Sequence, residues 1–148
     1  LDRSAFPAGF RTERVTEENA GLLDRVDDDV FDEPIDGDRL AAYLREAGHL
    51  MIVAIADDEV VGMCTAMVHR HADKATELYV DEVGASAKLR RHGIGKRLML
   101  EMFDLGRELG CAEAWIATEI DNEPARGLYR SLEPAEEATS AYYVYKLK

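Results

Sequence analysis

Cysteine, tryptophan, proline and positive charge are all scarce in this chain. Its 148 residues hold two cysteines, four prolines and one tryptophan, and 18 Lys and Arg stand against 30 Asp and Glu. Cys64 and Cys111 give neither a disulfide framework nor metal-ligand spacing, and free thiols in a reducing compartment are the expectation. A formal charge of −12 argues against nucleic acid, whose binding depends on basic surface, and against an anionic membrane. No apolar run exceeds strand length, so no membrane span is expected. The opening Leu1-Asp2-Arg3-Ser4 has no basic or apolar region of a secretory signal, and a cytoplasmic location is expected. The absent Met is compatible with a trimmed start. Net negative charge either attracts a polycationic partner or keeps the protein soluble. With 47% hydrophobic and 32% charged residues, the chain reads as one globular domain over residues 1–148.

The strongest local feature is Arg90-Arg91-His92-Gly93-Ile94-Gly95-Lys96, a basic glycine-rich turn running into a helix. Glycine lets a backbone approach a ligand closely, and a helix start offers unpaired N–H groups at the positive end of a dipole. Such a turn suits an anion, phosphate above all. A P-loop reading fails, because Arg90 and Arg97 stand where a glycine and a Ser or Thr are required. A dinucleotide fingerprint fails too, since Leu98 replaces its third glycine.

Around this turn the pattern gives a first strand over Phe10–Val15 and a helix capped by Thr16, with Glu17 and Glu18 in its first turn. An acidic stretch over 24–38 precedes a second helix, which Asp38 caps and Gly48 closes. Strands are expected at Leu50–Ile55 and Val60–Val68, joined by Asp57-Asp58-Glu59, and at Thr76–Val83. Ile94, Leu98, Met102, Leu105 and Leu109, spaced by four, four, three and four, form one helical face ending at Gly110. Ala112–Thr118 reads as a strand, and Asn122 caps a helix with Pro124 in its first turn. The tyrosine-rich Ala141–Leu147 reads as a final strand. The order β-α-α-β-β-β-α-β-α-β is that of an α/β (α+β) domain, a mixed sheet flanked by about four helices.

If alternation holds along the third long strand, Leu78, Val80 and Glu82 share a face and Asp81 points the other way. Glu82 is then a carboxylate in an apolar position, either a base with a raised pKa or an ion-paired edge residue. His69-x-His71 with Asp73 reads as exposed polar sequence rather than a metal site, and no metal is expected. Eight acids fall between Asp24 and Asp38, among them Asp28, Asp32 and Glu33; Glu119, Asp121 and Glu123 form a second group.

The segment Val83-Gly84-Ala85-Ser86…Arg90-Arg91-His92-Gly93-Ile94-Gly95, followed by Asn122-x-x-Ala125-x-x-x-Tyr129, resembles the GNAT acyltransferase superfamily. The resemblance implies a GNAT-like mixed sheet and acetyl-CoA as donor. It implies that N–H groups from Arg91 to Lys96, with Arg90 beside them, hold its pyrophosphate, while pantetheine lies along Val83 and Ala85 and meets Asn122. Glu82 is implied as the base acting directly or through water, and Tyr129, otherwise a core tyrosine, as proton donor to the thiolate. His92 belongs to the phosphate turn. The chain departs from the family at Leu132-Glu133-Pro134, where Leu-Gly-Phe is usual.

More narrowly, Glu119-x-x-Asn122-Glu123-Pro124-Ala125-x-x-Leu128-Tyr129 and the paired arginines look like aminoglycoside 3-N-acetyltransferases of the type I class. That likeness implies a cationic small-molecule amine as acceptor, held by Asp28, Asp32, Glu33, Glu119, Asp121 and Glu123. Antibiotic resistance would follow from such an activity. Another amine (a polyamine, peptide N-terminus or lysine) and a CoA-binding module without catalysis are the alternatives. Dimers are common in the superfamily, and Tyr142-Tyr143-Val144-Tyr145 is a segment for pairing with a second copy or for an internal strand.

Overall fold

The computed structural model describes residues 9–89 and 92–148. These divide into two compact units, one running to Ala117 and the other comprising Thr118–Lys148.

The first unit is built on a sheet of five strands in sequence order: β1 (Phe10–Arg14), β2 (His49–Ala56), β3 (Glu59–His69), β4 (Glu77–Ala85) and β5 (Glu113–Trp115). The first three pairings are antiparallel and β4 pairs with β5 in parallel. A parallel pair needs a crossover, which α2 (Ile94–Glu108) supplies. Asp57 and Asp58, at φ 51° and 61°, join β2 to β3 in the two-residue left-handed turn that matches the twist of a hairpin. Thr16 does cap the next segment, accepting from the Glu18 amide at 3.3 Å while Asn19 accepts from the Thr16 amide at 2.7 Å. The result is a 3-10 helix over Glu17–Asp24, kinked at Asn19, instead of an α-helix. The second helix, α1 (Gly37–Arg45), is capped by Asp36 rather than Asp38, and ends before Gly48. Two carboxylates two residues apart are both plausible caps by type, and only Asp36 has the extended backbone that directs its oxygen to the Arg39 amide.

Each face of the sheet has its own core. On one, Ile94, Leu98, Met102 and Leu105 of α2 pack on Ile52, Ala54, Cys64, Ala66, Leu78 and Val80. Gly62 makes this approach close: a Cβ there would lie 2.6 Å from Ile94 Cγ2. Burial pushes the Cys64 thiol up to about 12, so it stays a neutral core group. On the other face, Val30, Met51, Val53, Ile55, Val60 and Met63 pack with Leu40, Tyr43 and Leu44 of α1.

In the second unit, α3 (Glu123–Ser131) starts at Asn122, whose Oδ1 accepts from the Ala125 amide at 3.2 Å. Arg130 grips Glu137 through two bonds of 2.8 and 3.2 Å, which holds the Glu137 carboxyl below its ordinary range. The expected strand at Ala141–Leu147 is not formed. Its composition favours a strand, but a strand also needs a partner ladder, and none reaches this segment among the described residues. Likewise Ala112–Thr118 yields only the three residues of β5.

After α3 the chain turns through Glu133 at φ 56°, donating its amide to Arg130 O at 3.0 Å. This is the left-handed position that glycine occupies at most helix ends, and a side chain there is strained. Glu133→Gly should therefore stabilise the protein by about 0.5–1 kcal/mol, the left-handed strain outweighing the entropy of glycine. Thermal denaturation should register this as a rise in Tm of about 1–4 °C.

Candidate functional site

The ladder between β4 and β5 is short. It pairs Glu77 with Glu113, Leu78 with Ala114 and Tyr79 with Trp115, whose rings meet at 4.4 Å. Beyond Tyr79, β4 runs on through Val80–Ala85 while β5 has ended. Among the described residues no strand pairs with that side of Val80–Ala85, so this backbone edge is available to an extended, amide-bearing ligand. Val83 and Ala85 lie on it, their side chains packed against the α2 core.

A bulge sets the chemistry of this edge. Thr65 pairs with Glu82 and Ala66 with Val80, so Asp81 is an extra residue with no partner on β3. The alternation expected from sequence is broken there. Val80 and Val83 face α2 with their partners Ala66 and Cys64, whereas Glu82 faces the α1 side with Thr65, as Gly84 does with Met63. Glu82 thus does not share a face with Leu78 and Val80. It is half-buried, and burial first, then the charges of Asp81 and Asp32, raise its carboxyl above the ordinary 4.5. Two residues that the sequence did not single out complete the surroundings. Thr65, directly opposite Glu82, is 4% exposed, and its hydroxyl has no hydrogen-bond partner among the described residues. Tyr43 of α1 donates its hydroxyl to Leu50 O at 2.7 Å, and burial together with the charge of Asp81 pushes its own ionisation up. Both are buried hydroxyls, which composition alone does not distinguish from core packing.

The acidic loop is fastened to β4 at two points. A Cβ on Gly84 would run into the Val30 carbonyl, so glycine is what lets the loop cross the strand here. Three residues earlier in the loop, the Asp27 carboxylate accepts from Ser86 Oγ at 2.6 Å and pairs with Lys88 Nζ at 3.0 Å. The Ser86 hydroxyl and the Lys88 ammonium hold the Asp27 carboxyl below its ordinary range. Ser86 is fully buried and donates its amide to Val61 O at 2.8 Å. Of the acids nominated from sequence, Asp32 reaches Glu82 with its field, the Asp28 amide binds the Asp27 carboxylate, and Glu33 is exposed on the same loop.

The glycine turn follows. Arg90 and Arg91 lie outside the described residues. His92 is exposed, and Gly93 is left-handed at φ 74°, a conformation that favours glycine. The first bond of α2 runs from the Arg97 amide to Gly93 O at 3.0 Å. The N–H groups of Ile94, Gly95 and Lys96 therefore precede the helix's own ladder and carry the positive end of its dipole. These three donors with Lys96 suit a pyrophosphate, and the open edge of β4 suits the amides of a pantetheine arm, so the residues present fit CoA.

In the second unit, Asn122 is committed by Oδ1 to the α3 cap and by Nδ2 to Thr118 Oγ1 at 3.3 Å. Glu119, Asp121 and Glu123 are exposed around this cap, and Tyr129 is half-buried on α3. His69 and His71, expected to be mere exposed sequence, gather with Glu77 and not with Asp73.

Comparison with known proteins accords with this geometry. A human protein, N-alpha-acetyltransferase 30, is 28% identical over 90 residues, 61% of this chain. The chain spans a quarter of the length of such curated relatives, the matched part being 25% of theirs. Among solved structures, an aminoglycoside acetyltransferase from an uncultured soil metagenomic sample, in complex with sisomicin, superposes with a TM-score of 0.81 at 23% identity, over 95% of this chain and 97% of that one. AAC(6′)-Iy in complex with the bisubstrate analog CoA-S-monomethyl-acetylneamine superposes with a TM-score of 0.77 at 17% identity, over 93% and 98%. The latter is a 6′ enzyme rather than the 3-N type suggested by sequence. The chain thus has the fold of these enzymes, and residues 13–133 match the family's profile. The chain belongs to the acetyltransferase (GNAT) family.

Proposed function

We propose that the protein is an acetyl-CoA-dependent N-acetyltransferase whose acceptor is a polycationic small molecule, an aminoglycoside being the leading choice. The observation that carries this is Glu82, a half-buried carboxyl on the free end of β4, turned by the Asp81 bulge toward the acidic loop.

Bound acetyl-CoA supplies a thioester for attack by an amine. An alkyl ammonium has a pKa of about 10, so the acceptor must first lose a proton. Glu82, with its raised pKa, takes that proton directly or through water, while Asp28, Asp32 and Glu33 attract the remaining ammonium groups. Val83 and Ala85 offer backbone amides to pantetheine, and the turn from His92 to Lys96, with Arg90 and Arg91 preceding it, holds the pyrophosphate. The family likeness also assigns Asn122 to the pantetheine arm and Tyr129 as the residue protonating the thiolate. It assigns Glu119, Asp121 and Glu123 to the cationic acceptor.

Aminoglycosides are favoured because the solved relatives above act on or bind them. A second reading, a peptide N-terminus, rests on the likeness to N-alpha-acetyltransferase 30. Thiol release from acetyl-CoA against a panel of aminoglycosides, polyamines and peptides separates these. Release with an aminoglycoside is the expected result, with the acetylated position read from the product by NMR. Release with peptides or polyamines alone would overturn the aminoglycoside reading, and no release with any amine would overturn the enzyme itself.

Glu82→Gln should lower kcat/KM roughly 100-fold or more and remove the rise of rate with pH through the raised carboxyl pKa. The same linkage makes the folded protein lose stability as pH climbs from 4.5 through that raised value, because the native state holds the proton longer. Glu82→Gln should therefore leave the protein at least as stable at pH 7, so a loss of rate will not be one of folding. Tyr129→Phe should reduce kcat with KM for the acceptor little changed; an unaltered kcat would remove Tyr129 from the proton path.

A further inference from the structure

The distal end of the β3–β4 hairpin carries a cluster that acetyl transfer does not use. His69 closes β3, Glu77 opens β4, and the two are register partners; His71 follows in the intervening turn. The pairing is roughly 16 Å along β4 from Glu82. One nitrogen of each histidine and one oxygen of Glu77 lie within 4.8 Å of one another. The imidazole rings are 4.2 Å apart, and His71 Nε2 stands 3.4 Å from Glu77 Oε2. The side chains of His71 and Glu77 are only 14% and 22% exposed, and His71 Nε2 is buried with no hydrogen-bond partner among the described residues.

Two imidazoles and a carboxylate gathered this closely make a donor set that a cation or a shared proton would complete. Two imidazole nitrogens with one carboxylate oxygen are a zinc donor set, whereas calcium and magnesium take oxygen throughout. With metal–ligand bonds of about 2.1 Å, tetrahedral ligand atoms stand roughly 3.4 Å apart. The His71–Glu77 pair already has that spacing. His69 is exposed, so rotation of its side chain can close the wider separations. Arg70, between the histidines, is felt at Cys111 instead, and Glu113, the partner of Glu77 on β5, adds negative charge nearby.

We propose that His69, His71 and Glu77 form a binding site for a zinc-class divalent cation, with a fourth position left to solvent. The ion would join the end of β3 to the start of β4 across the hairpin turn.

The competing account of the cluster is a protonated His71 paired with Glu77, which needs no metal. Calorimetric titration of the full chain with zinc chloride should give one site with a dissociation constant below about 10 µM. Cobalt(II) in the same site should show the visible absorption of a four- or five-coordinate ion. His69→Ala, at an exposed position, should weaken binding at least about tenfold without altering the fold, and Glu77→Gln should do likewise. Absence of saturable binding at roughly 100 µM zinc, or undiminished affinity in the His69→Ala, Glu77→Gln double variant, would overturn the proposal.

Discussion

The arrangement of this site depends on one extra residue in β4. A strand alternates its side chains between two faces, and if Asp81 were paired in register instead of bulged, Glu82 would fall opposite Cys64 and turn toward α2, into a core of Leu98 and Met102. A carboxylate there would be buried without a partner. With the bulge, Leu78, Val80 and Val83 keep their places in that core, and Glu82 meets the acidic loop instead. The strand satisfies two demands that strict alternation would set against each other. The bulge also places the Asp81 carboxylate beside that of Glu82, and this like charge, added to burial, favours the protonated form. Position and proton affinity therefore share one structural cause.

The acidic loop could not serve such a site if it were merely solvated. Gly84 admits Val30 against β4, while Asp27 is held by Ser86 and Lys88. The Lys88–Asp27 pair alone is worth little, because the ammonium is 66% exposed. The short bond from the buried Ser86 hydroxyl is the more consequential half, since losing it would leave a buried polar group unpaired. Ser86 lies just past the end of β4 and before the glycine turn. The acidic loop is thus anchored to the stretch of backbone that leads toward the helix start at Gly93.

Most of the first unit was legible in the sequence. Every strand of its sheet was anticipated, β1 to β4 within two residues, because apolar runs bounded by turn residues are local signals. Gly93 was legible for the same reason: a left-handed residue at a helix start advertises itself by type. Misjudged features were relations between distant segments. The Asp81 bulge is a property of two strands in register, so no window on β4 alone reveals it. The tyrosine segment at Ala141–Leu147 has the composition of a strand, yet a strand is defined by its partner. Thr65 and Tyr43 read from sequence as packing, because a hydroxyl in an apolar pattern is not distinguished until its neighbours are known.

The histidine cluster shows the same principle with the opposite outcome. In sequence, His69 and His71 have Asp73 as their nearest acid, and that trio belongs to an ordinary polar turn. Antiparallel pairing replaces Asp73 with Glu77, since the residue closing one strand of a hairpin faces the residue opening the next. Alternation across the turn would send Arg70 to the side away from both histidines, which agrees with its influence on Cys111. A negative protein attracts metal cations everywhere on its surface, but diffuse attraction selects neither a donor set nor a geometry. Here the imidazole of His71 is largely shielded from water and faces a partly shielded carboxylate, so the cost of desolvating these groups has already been met in folding. That prior desolvation is what distinguishes the cluster from the exposed acids of the loop.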